Sequence, residues 1–152
     1  DCSRAAIMKK VLFLCTGNYY RSRFAEKIFN HLATQKNLHW EADSRGLALE
    51  RGVNNVGAIS RYAVEALKQR GINIIPEERF PKSAIAEDFQ TFDLIIAVDE
   101  SEHRPLMQER FFQQMDNIEY WLIHDIDKTS PQEALEKLEK KVEKLIEDLA
   151  NN

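Results

Sequence analysis

A cysteine and an arginine bracket a short polar stretch, Cys15-Thr16-Gly17-Asn18-Tyr19-Tyr20-Arg21-Ser22. These residue types at this spacing suit capture of a phosphate followed by nucleophilic attack on it. Backbone N–H groups in a tight loop can converge on an anion, and a helix N-terminus adds partial positive charge. Gly17 permits backbone geometry that other residues resist. Arg21 offers a planar fork able to grip two phosphate oxygens. At the base of this cradle, Cys15 meets the field of the helix end and of Arg21, which favours its thiolate, the nucleophilic form. An isolated cysteine at a strand end is more often an inert packing residue. Arg21 across a Gly-Asn loop argues for the reactive reading instead.

Such a loop needs a rigid strand before it and a helix after it. Val11-Leu12-Phe13-Leu14 is a continuous apolar run of the kind buried on both faces of a sheet. From about Ser22 to Thr34, Phe24, Ala25, Ile28, Phe29 and Leu32 recur at helical spacing. Leu38 to Ala42 reads as a second strand, ending at Asp43-Ser44-Arg45-Gly46, and Gly52 and Gly57 as loop positions. Ser60 reads as the N-cap of a helix carrying Ala63, Val64, Ala66 and Leu67, with Gly71 as its stop. Ile72 to Ile75 is a possible short strand closed by Pro76. Leu94-Ile95-Ile96-Ala97-Val98 is the clearest further buried strand, and a helix can begin after Asp99-Glu100-Ser101-Glu102. Glu119 to Ile123 suggests a last strand. From Pro131, Leu135, Leu138, Val142, Leu145, Ile146 and Leu149 form one apolar helix face, with Glu and Lys on the solvated one. Strands alternating with helices predict an α/β fold on a parallel sheet, whose sites lie beyond the strand C-terminal ends.

The 152 residues suit one domain. A net charge of -4 argues against a nucleic-acid partner. No apolar run approaches the ~20 residues that span a bilayer, so no membrane association is expected. Asp1 to Ile7 are read as a remnant or disordered extension ahead of a natural start at Met8, and residues 8–152 as a single domain. Cys2 is then a bystander. With 2 Cys and no apolar export signal, the reducing cytoplasm is the expected compartment.

The Cys-x5-Arg-Ser segment resembles the phosphate loop of the low-molecular-weight protein tyrosine phosphatase family, and it lies near Met8, where that family carries it. Asp43-Ser44-Arg45-Gly46 resembles the family's Ser-Ala-Gly segment, which implies that Ser44 hydrogen-bonds Asn18. Phe92-Asp93-Leu94-Ile95-Ile96-Ala97-Val98-Asp99 resembles its Phe-Asp-Leu-Ile strand, ending in a Met-Asp type step. The resemblance covers nearly the whole chain from Met8. It implies a three-layer α/β sandwich with a central parallel sheet of about four strands and helices on both faces.

A thiolate can take a phosphoryl group, but the departing alkoxide or phenoxide needs a proton. A placed carboxylic acid supplies it, typically for about 10²–10⁴ in rate. The resembling family carries this acid in a late Asp-Pro step. Here the late loop reads Trp121-Leu122-Ile123-His124-Asp125-Ile126-Asp127, and the family's Trp-x-x-x-Asp-Pro spacing selects Asp125, with Ile126 in place of proline. Asp127 is the alternate acid, and two solvated loop aspartates are the plain reading. The 4 His are scattered without an i, i+4 pair, so neither a metal nor another cofactor is expected. His103 and His124 read as ordinary surface or packing residues, although His124 can touch the acid loop. Asp99 reads as a helix cap, with ligand or second acid as alternatives.

The chain departs from the family in several places. Tyr20 stands where many relatives carry a second cysteine, so Cys15 has no neighbouring resolving thiol. With only Cys2 and Cys15, the cysteine relay of the arsenate-reductase branch cannot operate. Tyr19 replaces the branched aliphatic residue or threonine that helps set substrate choice in relatives, and is read as narrowing the pocket, stacking on a substrate ring or pointing away. Tyr20 is read as packing. Leu49, Glu50 and Asp127 occupy places where the family has aromatic walls.

Two functions follow from these residues. In the first, a phosphomonoesterase, Cys15 attacks phosphorus, and backbone donors from Thr16, Gly17, Asn18, Tyr19, Tyr20 and Arg21, with the Arg21 side chain, hold the oxygens. Ser22 hydrogen-bonds Cys15, Asn18 and Ser44 hold the loop, and Asp125 acts as acid and then base. Its partners would be a phosphorylated protein or small phosphate ester, with inorganic phosphate as product and a monomer as the default state. In the second, the domain recognises a phosphorylated or anionic partner without turnover.

Overall fold

The computed structural model describes residues 7–152; Cys2, and the expectation for residues 1–7 apart from Ile7, fall outside that range. The first strand, β1 (Lys9–Cys15), is followed by α1 (Arg21–Gln35), β2 (Trp40–Gly46) and α2 (Arg61–Gln69). Then come the one-turn α3 (Asp88–Thr91), β3 (Leu94–Ala97), α4 (Glu100–Arg110), β4 (Glu119–Tyr120) and α5 (Pro131–Ala150). The four strands are parallel, in the order β2-β1-β3-β4. The register runs Lys9 opposite Trp40 to Cys15 opposite Gly46, and Val11 opposite Leu94 to Leu14 opposite Ala97.

β1 is buried on both faces because its alternate side chains feed separate cores. Val11, Phe13 and Cys15 pack with Phe24, Ile28 and Phe29 of α1, Ala63 and Leu67 of α2, and Leu135, Leu138 and Val142 of α5. Leu12 and Leu14 pack on the opposite face with Ile95, Ala97, Leu106 and Met107, joined by half-buried Phe89 of α3. The result is the three-layer α/β sandwich expected from the sequence. After β2 the chain crosses back over β1 to reach β3, so the strand order reverses between β1 and β3. In open α/β sheets, the crevice beyond such a reversal is where ligands sit. No helix among the described residues is long and apolar enough to cross a membrane.

Local chemistry sets the boundaries. Asn37 takes φ 53°, while Asn37 and Leu38 N–H bond to the carbonyls of Thr34 and Ala33 at 3.2 and 2.9 Å. This Schellman arrangement consumes Leu38 as the end of α1 and moves the second strand on to Trp40–Gly46. Gly71, at φ 79°, ends α2 in the same way, with Ile72 N–H bonded to Leu67 carbonyl at 2.9 Å. The strand expected at Ile72–Ile75 is therefore not formed. Ile72 and Ile74 lie half buried on the α1–α2–α5 core with no strand beside them. β4 stops at Tyr120, and beyond it the chain closes over the end of β3 through Trp121 N–H to Ala97 carbonyl and Ile123 N–H to Val98 carbonyl. Ser130 caps α5 ahead of Pro131, as a polar cap followed by an N1 proline should.

Arg23 carries a charge into the interior. It is fully buried, donates to the carbonyls of Ala58 and Arg79 at 3.0 Å, and pairs with Glu78, with Glu26 3.7 Å away. Removing one member of a buried ion pair strands the others, at about 3–5 kcal/mol. Arg23→Ala should accordingly lower the unfolding free energy measured by urea titration by a margin of that size, and a change below about 1 kcal/mol would contradict the reading.

Candidate active site

The loop from Cys15 to Ser22 lies at the C-terminal end of β1, beside the reversal point. Three of its carbonyls are held by neighbouring segments. Those of Cys15 and Thr16 accept from Leu47 and Ala48 N–H at 2.8 and 2.9 Å, and that of Tyr19 accepts from Ser60 N–H at 2.8 Å. The backbone N–H groups of Gly17 to Tyr20 have no acceptor among the described residues. Tyr20, the N-cap of α1, supplies no side-chain cap. A row of free donors therefore meets the positive end of a 15-residue helix, which is an anion-binding arrangement.

Asn18 gives the loop its shape. It takes φ 52°, and its buried amide is fully used. Nδ2 donates to Ser22 Oγ at 2.9 Å and to Ser44 Oγ at 2.8 Å, while Oδ1 accepts from Arg79 Nη1 and Lys82 N–H, both at 3.0 Å. The left-handed residue is thus Asn18, not Gly17. The glycine that close approach demands is Gly46, where a Cβ would lie 2.8 Å from Thr16 carbonyl oxygen. Ser44 in turn donates to Glu26 at 2.5 Å, tying the loop to the ion cluster of α1.

Cys15 is buried, and its Sγ lies 2.8 Å from Ser22 Oγ. Arg21 is 2% exposed. Its Nη1 donates to Ile123 carbonyl and its Nη2 to Glu102 Oε2, both at 2.9 Å. Arg21 Nε has no partner among the described residues. Burial works against the Arg21 charge, but Cys15, Asp125 and Glu102 outweigh it and hold its pKa above the ordinary value. Asp125 Oδ2 lies 3.6 Å from Arg21 Nη2, and Asp125 Oδ1 accepts from Ile126 N–H at 2.9 Å. Asp127 is exposed on the same cavity wall.

The cavity of about 780 Å³ includes Cys15, Gly17, Arg21, Asp125 and Asp127 in its lining. Tyr19 and Tyr62 give it aromatic wall, and Val56, Ile59 and Ile126 apolar rim. Tyr19 donates its hydroxyl to Val56 carbonyl at 2.6 Å, so it holds the 53–59 loop rather than pointing away. Tyr20 is 7% exposed, and burial, then the charge of Asp125, pushes its pKa up to about 12. It is a packed neutral phenol, edge-on to Tyr62 with ring centroids 6.5 Å apart.

Three residues have larger parts here than their types suggested. His103, expected at the surface or in packing, is fully buried beside the loop. Its Nδ1 accepts Asp99 N–H at 3.1 Å, which leaves Nε2 to carry the proton, 3.2 Å from Thr16 Oγ1. Burial holds its pKa below the ordinary histidine value. Asp99 caps α4, accepting from Ser101 N–H and hydroxyl at 3.2 and 2.7 Å, and also contacts His124 Nδ1 at 3.0 Å. Glu102 was not anticipated at all. The available signal was topological: Asp99 to Glu102 opens a helix at the end of the strand beside β1, so its first turn must face the loop. No group of three or more His, Cys, Asp or Glu side chains suited to a metal ion occurs among the described residues.

Comparison with known proteins agrees with this geometry. The family model described as low molecular weight phosphotyrosine protein phosphatase matches residues 10–152. The protein of that name from the pig, Sus scrofa, is 39% identical over 103 residues, covering 66% of this chain. The match spans 61% of the pig protein's own length. The crystal structure of a low molecular weight protein tyrosine phosphatase from T. tengcongensis superposes with a TM-score of 0.76 at 30% identity, over 92% of this chain and 99% of that one. YfkJ from Bacillus subtilis gives 0.79 at 26% identity, over 96% and 97%. With the family's model spanning both the phosphate loop and the late acidic loop, the chain belongs to the low molecular weight phosphotyrosine protein phosphatase family.

Proposed function

We propose that this protein is a metal-independent phosphomonoesterase that works through a cysteinyl phosphate. The observation that carries the proposal is the convergence on one cavity of Cys15, free loop N–H groups, Arg21 and Asp125. In the first step Cys15 Sγ attacks phosphorus, the S–P bond forms, and the P–O bond to the leaving group breaks. Asp125 gives its proton to the departing oxygen. The loop N–H groups and Arg21 take up the charge on the remaining oxygens, supplying the positive field that a metal supplies elsewhere. In the second step Asp125, now a carboxylate, takes a proton from water as that water attacks phosphorus. Cys15 departs as a thiolate accepting from Ser22 Oγ–H, and inorganic phosphate is released.

The curated relatives are named for phosphotyrosine. The aromatic and apolar wall of Tyr19, Tyr62, Val56 and Ile59 suits an aryl phosphate, so a phosphotyrosyl protein is the substrate class favoured here over a small alkyl ester. A thiolate nucleophile works in a reducing compartment, which supports the cytoplasm, and an open cavity on a small domain supports a monomer. Residues 8–152 are read as that one domain.

The test is hydrolysis of p-nitrophenyl phosphate with a strong chelator present. Turnover with competitive inhibition by inorganic phosphate and vanadate is expected. Tight phosphate binding without turnover would instead favour the recognition-only reading, which no feature of the site now singles out.

A further inference from the structure

Arg21 is faced by three carboxylates, and they are not equivalent. Asp99, 3.6 Å from Nη1, is occupied by Ser101 and His124. Asp125, 3.6 Å from Nη2, must exchange a proton under the proposed mechanism. Glu102 alone of the three makes a hydrogen bond with Arg21, at 2.9 Å. The same carboxylate oxygen accepts from the Thr16 hydroxyl and lies 3.3 Å from His103 Nε2, the protonated nitrogen of that ring. Burial alone would raise the Glu102 pKa, but bonds from His103, Thr16 and Arg21, with the Arg21 charge, hold it well below the usual carboxylate range. Glu102 is absent from the cavity lining. It joins Thr16, the residue after Cys15, to the arginine at the far end of the loop.

We propose that Glu102 is a positioning residue for Arg21, an inference that rests on the phosphatase reading. Two anchors, the Ile123 carbonyl on Nη1 and Glu102 on Nη2, fix the guanidinium plane and leave Nε free to meet a phosphate oxygen. Glu102 also keeps Arg21 from turning to Asp125. Without it, the nearest remaining carboxylate on Nη2 is Asp125, and an Arg21–Asp125 pair would both leave phosphate and hold back the proton that the leaving group needs. The effect therefore has a signature. Phosphate affinity falls, and turnover of a poor leaving group falls more than turnover of a good one.

The experiment is a double-mutant cycle of Glu102→Gln with Arg21→Lys. It reads the dissociation constant of inorganic phosphate by calorimetry and kcat for phenyl and p-nitrophenyl phosphate. Glu102→Gln keeps the shape and an acceptor oxygen but removes the charge. In the parent background it should weaken phosphate about tenfold, the size of one charged hydrogen bond. It should also lower kcat for phenyl phosphate by a larger factor than for p-nitrophenyl phosphate. In the Arg21→Lys background it should change phosphate affinity less than about twofold, because the guanidinium through which the proposed effect acts is gone. An equal loss in both backgrounds, or tighter phosphate binding by Glu102→Gln, would overturn the proposal. Glu102→Asp, which keeps the charge, covers the case of an unstable Glu102→Gln; it should hold phosphate affinity within about threefold of the parent, and a loss as large as tenfold would overturn the dependence on that charge. If the parent binds phosphate but hydrolyses nothing, the phosphatase reading fails while the binding cycle still decides the role of Glu102.

Discussion

Replacing Cys15 by serine should reduce turnover of p-nitrophenyl phosphate on the order of 10⁴–10⁶-fold, the scale seen when a covalent nucleophile is removed. A serine hydroxyl at this position is neutral near pH 7, and nothing in the site takes its proton. Ser22 Oγ, at 2.8 Å, serves to donate to a thiolate and is itself held by Asn18 Nδ2. The binding parts are untouched by the change. The free N–H groups of the loop and the Nε of Arg21 belong to other residues. Phosphate affinity of Cys15→Ser should accordingly stay within a few-fold of the parent, and calorimetry with inorganic phosphate measures it. A Cys15→Ser protein that kept the parent rate would reject cysteine-based chemistry outright. One that lost phosphate binding as well would assign Cys15 to loop structure.

Asp125→Asn should lower kcat for phenyl phosphate by about 10²–10⁴-fold, the usual reach of a general acid. The loss should shrink for p-nitrophenyl phosphate, whose leaving group departs with little help. Asp127→Asn should stay within about threefold for both, in keeping with a surface substitution. The asymmetry comes from position. Asp125 approaches Arg21 to 3.6 Å and has one oxygen held by Ile126 N–H, so it presents the other to the loop. Asp127 lines the same cavity, and no hydrogen bond or ion pair joins it to the phosphate loop among the described residues. Reversed losses, large for Asp127 and small for Asp125, would transfer the acid to the later residue.

How much of this was legible beforehand depended on whether a residue's role was local. β1 and β3 announced themselves as apolar runs, because a strand buried on both faces leaves no polar position. The apolar stripe of α5, its start at Pro131 and the stop of α2 at Gly71 are likewise written into nearest neighbours. Cys15, Arg21 and Asn18 lie within a few residues of one another, so their joint chemistry was visible before the fold. The partners that complete the site arrive from far along the chain. Arg79 reaches Asn18 from 61 residues away and Glu102 reaches Arg21 from 81, and each carries a charge that in isolation reads as a solvated surface. Arg23 misleads in the same way, since only the packed loop at Glu78 turns it into a core residue. Ile72–Ile75 had strand composition, but pairing is a property of the sheet, and Ile72 was already committed to the end of α2.

The central claim is that the phosphoryl group passes through Cys15. Rapid acid quenching of Asp125→Asn with radiolabelled p-nitrophenyl phosphate tests it most directly, because that variant still accepts the group from a good leaving group but activates water poorly. The account predicts a phosphorylated peptide that contains Cys15, formed in a burst and absent from Cys15→Ser. Turnover with no labelled protein at any quench time, or label on a residue other than Cys15, would contradict it.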